Sequence, residues 1–125
     1  MHSTQITHAI NAATATAVSG WLPITGARAV QIMGKRSANA GGTTTFTVHV
    51  SPDGVDANAI AYNKLIDNVT NTNAQTLTRI ASKAIANADG LVLLSISPED
   101  IGGFIRITAT ETTDGTHDAW LIVAY

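Results

Sequence analysis

Residues 102–125 constrain the fold of this chain more than any other stretch. Two runs rich in β-branched and aromatic side chains, Phe104-Ile-Arg-Ile-Thr-Ala-Thr-Glu and Ala119-Trp-Leu-Ile-Val-Ala-Tyr, flank Thr113-Asp-Gly-Thr. An Asp-Gly pair between such runs predicts a hairpin, because Gly accepts the positive φ that tight turns need. In the first run Ile105, Ile107 and Ala109 alternate with Arg106, Thr108 and Thr110. That is the period of a strand with one face in a core and one in water. The second run is apolar on both faces from Trp120 to Tyr125. It predicts a strand that lies inside a sheet or has its outer face covered by something else, such as a neighbouring subunit. The rest of the chain then has to supply strands that pack on this pair.

It does so at short intervals. Residues 43–51 alternate most clearly: Phe46, Val48 and Val50 are expected to face the core, and Thr45, Thr47 and His49 to face out. Residues 27–33 carry Val30 and Ile32 on one face, and residues 91–97 read as a buried strand. Trp21-Leu-Pro-Ile suits a sheet edge, since Pro23 cannot donate to a ladder. Residues 59–66 fit strand or helix and are assigned to a strand because eight-strand packing needs it, whereas residues 75–86 fit either a helix stripe through Leu77, Ile80, Ala81 and Ala84 or a strand favoured by Thr76, Thr78 and Ile80. Ser51-Pro-Asp-Gly is a turn with a physical basis in each residue, and Lys35-Arg-Ser-Ala-Asn-Ala-Gly-Gly and residues 67–74 read as exposed loops. Residues 12–18 read as a first strand preceded by an extended arm. The expected division is therefore an arm and first strand at 1–18 and a β-sandwich domain at 19–125. Residues 1–11 are either a frayed terminus or an arm that reaches a neighbouring subunit or a shell protein, with Ile6, Ile10 and Val18 spaced as occasional anchors. The expected fold is all-β: a single β-sandwich, a jelly roll of about eight antiparallel strands.

Composition narrows the function. Only 13% of the 125 residues are charged, and the formal net charge is −2. The surface must be largely Thr, Ser, Asn and Ala, which suits broad neutral contacts and gives no electrostatic reason to expect nucleic acid. No apolar run approaches a membrane span. The start, Met-His-Ser-Thr-Gln, does not resemble a secretion signal. There is no cysteine, which excludes disulfides and thiolate metal sites. Asn68-Val-Thr matches a glycosylation acceptor, which matters only in a secreted eukaryotic chain.

No catalytic constellation stands out. His2, His8, His49 and His117 form no close pair, although His49 and His117 could meet across strands. A cupin-type metal site needs clustered His with Glu, and the only glutamates are Glu99 and Glu111. His49, Ser51 and Asp53 are near one another in sequence, but a triad needs a fold-built geometry and an oxyanion hole. Asp53 with Asp56, and Asp114 with Asp118, offer calcium oxygens but lack EF-hand spacing, and turn formation explains them. No phosphate-binding glycine loop is present. Arg106 is expected to pair with Glu111 or an acid on a neighbouring strand. No enzyme activity, metal or cofactor is expected. Trp21, Tyr62, Trp120 and Tyr125 are explicable as core or interface anchors. The candidate interface residues are Ile6, Ile10, Trp120, Ile122 and Tyr125.

Taken in order, Trp21-Leu-Pro, Phe46-Thr-Val-His-Val-Ser-Pro-Asp-Gly, Gly103-Phe-Ile-Arg-Ile-Thr-Ala-Thr and Thr113-Asp-Gly-Thr resemble the small β-sandwich capsid decoration, or cement, proteins of tailed bacteriophages. The resemblance covers residues 21–125 and rests on structural turns and strands. It implies a jelly-roll homotrimer that binds the major capsid protein on the outside of a phage head, made in the host bacterial cytoplasm. It transfers no individual binding residue. The alternative is a carbohydrate- or ligand-binding β-sandwich module of a phage tail or cell-surface-targeting protein. With 5% aromatic residues the chain is poorly equipped for a glycan platform.

Overall fold

The computed structural model describes residues 3–69, 79–113 and 115–125. Its strands are β1 (Thr4–Ala13), β2 (Ala17–Val18), β3 (Leu22–Pro23), β4 (Ala29–Ser37), β5 (Thr43–Ser51) and β6 (Ile60–Ala61). They continue as β7 (Leu65–Asp67), β8 (Arg79–Ile80), β9 (Ser82–Ala86), β10 (Gly90–Ile96), β11 (Phe104–Glu111) and β12 (Thr116–Ala124). One sheet runs β1-β12-β4-β10-β7-β8. The other runs β2-β11-β5-β6, with β3 also on β11 and β9 also on β5. All pairings are antiparallel: β1 with β12, β2 and β3 with β11, β4 with β10, and β5 with β9. This nested order, first strand against last and inward from there, is that of a jelly roll. The two sheets face each other as a β-sandwich.

Alternation builds the core. In β5 Phe46, Val48 and Val50 are buried while Thr45, Thr47 and His49 are half-exposed, as their period-two spacing predicts. Ile105, Ile107 and Ala109 of β11 are buried beside them on the same sheet. Val30 and Ile32 of β4, Val92 and Leu94 of β10, and Leu121 and Val123 of β12 meet them from the opposite sheet. Gly34 leaves no room for a side chain: a Cβ there would sit 2.7 Å from Phe46 Cζ of the facing sheet and 2.8 Å from Val92 Cγ2 of the neighbouring strand.

Several expectations are corrected. The two C-terminal runs are strands, but they do not form a hairpin with each other. β11 is occupied on both edges by β2, β3 and β5, and β12 by β1 and β4. The chain therefore passes from one sheet to the other between β11 and β12. Asp114 of the expected turn lies outside the described residues. Gly115 has a different reason to be glycine: a Cβ there would lie 2.6 Å from Arg36 Nη2. Residues 35–42 are not all loop, since β4 runs through Lys35 and Arg36 to Ser37. Residues 59–66 contain two short strands, β6 and the start of β7. The described part of 75–86 is strand in β8 and β9, and its start, like residues 70–74 of the expected polar loop, lies outside the described residues.

The segment read as an arm is also corrected: it is β1, paired along β12 of its own chain. Its backbone groups needed partners, and the open edge of β12 supplies them. The expected first strand, residues 12–18, is split: Ala12 and Ala13 end β1 on β12, and Ala17 and Val18 form β2 on β11.

Candidate interaction surface

Because the inward positions of β12 are His117, Ala119, Leu121 and Val123, its outward positions are Asp118, Trp120, Ile122 and Ala124. The register then lays out the outer face of the long sheet row by row. Ile6 of β1 lies opposite Ile122, and Ile122 opposite Gln31. In the next row His8 lies opposite Trp120, Trp120 opposite Met33, and Met33 opposite Leu93. A third row runs from Asp118 through Lys35 to Leu91. The result is an apolar field across four strands. Ile6 is 67% exposed and Leu91 56%, and Trp120, Ile122, Met33 and Leu93 are half-buried. With Gln31, Asp118 and Lys35 among these rows, the face is apolar with polar interruptions, and partly exposed apolar side chains grouped on one sheet face mark a candidate contact site.

Three of the candidate interface residues thus come together: Ile6, Trp120 and Ile122. Ile10 does not join them. The β1–β12 register shifts between His8 and Ile10, and that bulge turns Ile10 inward, where it is 4% exposed in the core. Tyr125 sits at the end of β12, half-buried against the core, with its N–H donating to Ser3 O at 2.8 Å. Met33, Leu91 and Leu93 were missed. Their signal was the alternate positions of residues 27–33 and 91–97, obscured by reading the latter as buried on both faces.

The surface is stiffened by polar contacts. The His8 ring stacks on Trp120, centroids 4.6 Å apart and planes 7° from parallel. Its Nε2 is 2.8 Å from Asp118 Oδ1, which also accepts the Ala12 N–H at 2.8 Å. Ala12 takes a left-handed φ of 48° at a second shift in the ladder. Asp118 therefore fixes both the Trp120 stack and the irregular end of β1.

The remaining candidates serve structure. Arg106 does not reach Glu111. Its Nη1 donates to Asp56 Oδ1 at 3.0 Å, and its guanidinium lies 4.7 Å over the Trp21 ring, whose Nε1 donates to the same Asp56 oxygen. Glu111 instead accepts from Arg36 Nη2 at 3.2 Å and from Thr44 Oγ1. Arg36 and His117 side chains are 0% exposed and Glu111 2%, with His117 Nδ1 3.5 Å from Glu111 Oε2. Arg36 also donates to Asn39 Oδ1 and to the carbonyls of Gly41 and Gly42. Burial alone would raise the Glu111 carboxyl. The Thr44 and Thr113 hydrogen bonds, with Arg36 and His117, outweigh it and hold the carboxyl below its usual 4.5.

His49 and His117 do not meet, for His49 points outward and His117 inward. Burial, and secondarily Arg106, lowers the His49 pKa. Ser51 and Asp53 close their own turn: Ser51 Oγ donates to Asp53 Oδ1 at 2.9 Å and accepts the Gly54 N–H. That bond and one from Asn58 lower the Asp53 pKa. Among the described residues no three His, Asp or Glu side chains gather as metal ligands, and no helix is long and apolar enough to cross a membrane. A groove of about 420 Å³ lies between Thr25–Arg28 and Pro98–Gly103, with Arg28 and Glu99 its only ionisable side chains.

No protein-family model and no curated protein matches the chain. Among solved structures it is similar to the SPBc2 prophage-derived protein YomS, at 11% sequence identity and a TM-score of 0.65, over 100% of this chain and 96% of that one. A structure of infectious bursal disease virus, Gx strain, aligns at 11% identity with a TM-score of 0.24 over 40% of that chain, too distant to support any reading. The likeness to YomS is one of fold: the chain is an all-β sandwich of a shape seen in a prophage-derived protein.

Proposed function

We propose that the chain is a structural protein of a tailed-phage particle: a capsid decoration subunit that forms a homotrimer and binds the major capsid protein on the outer surface of the head. The observation that carries this reading is the apolar outer face of the long sheet, centred on Trp120 and Ile122. A weakly charged face whose central Trp120 is held by the His8 stack loses little side-chain entropy when covered, which favours contacts between subunits over capture of small ligands. The prophage origin of YomS supports the same setting.

No catalysis is assigned: Arg36 and Glu111 are paired with each other inside the fold, and His117 beside them is wholly buried. A glycan platform is less well supported: each tryptophan has a ring face taken, Trp21 by Arg106 and Trp120 by His8. Mass spectrometry of particles purified from the encoding phage or prophage tests the reading. The chain is expected at a fixed ratio to the major head protein, and light scattering of the pure protein is expected to give a multiple of three 13.0 kDa chains. Abundance in the lysate with absence from particles would overturn it.

A further inference from the structure

We infer that the free edge of β1 pairs with the same edge of a second copy, antiparallel and centred on Ile6, making one continuous sheet through two molecules. This goes beyond the decoration reading and does not depend on it.

Among the described residues β1 pairs on one side only, with β12. Edge strands in soluble proteins are normally guarded by charge, by proline or by a bulge. β1, Thr-Gln-Ile-Thr-His-Ala-Ile-Asn-Ala-Ala, contains no Asp, Glu, Lys, Arg or Pro, and the first such charge in the chain is Arg28. The bulges lie beyond His8, so the register from Thr4 to His8 is unbroken.

The direction of the backbone groups follows from one hydrogen bond. Tyr125 N–H donates to Ser3 O at 2.8 Å, one residue beyond the Thr4–Ala124 pair. Antiparallel ladders alternate, so Ser3, Gln5 and Thr7 turn their backbone groups toward β12. Thr4, Ile6 and His8 turn theirs to the free edge.

Ile6 is the midpoint of that set, and this selects the occupant. A twofold axis at Ile6 places Ile6 against Ile6 of the other copy and Thr4 against His8. Every outward-directed group of the regular segment is then matched, about six backbone hydrogen bonds in all. No charged pair of like sign is opposed. The Ile6 side chain, 67% exposed, packs against its symmetry mate, and the Trp120–Ile122 field becomes continuous across the join. A strand from an unrelated protein would have no reason to share this midpoint. In a threefold ring each subunit keeps one such edge, so edge pairing would join ring to ring.

The chain contains no cysteine, so a single introduced thiol reports on this contact alone. Ile6→Cys is expected to give a covalent dimer with a short-spacer bismaleimide at micromolar concentration. Ile60→Cys, 61% exposed on the other sheet, is expected to give none. Ile6→Lys, with unchanged circular dichroism, is expected to halve the mass seen by light scattering whatever assembly the wild type forms. No cross-link for Ile6→Cys, equal cross-linking of the two thiol variants, or an unchanged mass for Ile6→Lys would overturn the inference. Failure of the decoration reading would appear separately, as absence from particles.

Discussion

Replacing Arg36 with Met separates two accounts of how this sandwich is closed at one end. Arg36 is wholly enclosed, and its guanidinium donates to Asn39, Gly41, Gly42 and Glu111. Met fills much of the stem volume but leaves the Glu111 carboxylate, 2% exposed, without its cation. Breaking a buried pair from one side costs about 3–5 kcal/mol, because the remaining charge is still desolvated. An unfolding entropy of about 2.1 cal/mol/K per residue converts this, for a chain of this length, into a fall in Tm of about 10–20 °C. Arg36→Met with Glu111→Leu removes both charges and is expected to recover more than half of the loss.

The effect should also depend on pH. The Glu111 carboxyl is depressed in the folded protein, so its contribution is complete above its ordinary value of 4.5 and is lost as pH falls through the depressed one. The gap between wild type and Arg36→Met is therefore expected to narrow in acid. Differential scanning calorimetry at neutral and acid pH measures all of this. A single variant melting within about 2 °C of wild type at neutral pH would refute the claim that this pair holds the structure.

Gly34→Ala drives a methyl into Phe46 and Val92 and is expected to cost about 1–3 kcal/mol in urea denaturation. Ala12→Gly relieves a left-handed φ of 48° and is expected to stabilise by up to about 1 kcal/mol in the same assay. Arg106→Ala removes a pair whose Asp56 partner is 81% exposed, so the loss is expected to stay under about 1 kcal/mol. Melting curves in calcium and in chelator should coincide within about 1 °C, because Asp53 is already occupied by Ser51 and Asn58, and tight binding would shift them.

What could be read from the sequence was what alternation encodes. Phe46, Val48 and Val50, and Ile105 and Ile107, declared their buried face because a strand's side chains have a period of two whatever its neighbours are. Pairing between strands has no such local mark. The Asp114-Gly115 signal describes a turn, not which sheet the chain enters afterwards. Arg36 beside Ser-Ala-Asn-Ala-Gly-Gly looks like loop until Glu111, Thr44 and the glycine carbonyls, all distant or folded back, are seen to satisfy it. Ile10 was misplaced for the same reason: a bulge shifts parity, and parity was the only guide. Trp120 and Ile122 were singled out because a strand apolar on both faces must be covered twice, and both lie on the outer face of the long sheet.

The pairing of β1 with β12 also fixes an order of events in time. Among the described strands, the first in chain order lies beside the last, with Ser3 and Tyr125 joined by a hydrogen bond. Until β12 is synthesised, β1 has no ladder to enter, and β4 lacks one of its two neighbours. The long sheet therefore cannot close until β12 has emerged, and it closes by meetings between segments far apart along the chain, a topology that slows folding. Through that interval the uncharged Ile6 strand is exposed in every nascent copy. How closely ribosomes follow one another on the message thus becomes a variable in whether copies meet folded or unfolded.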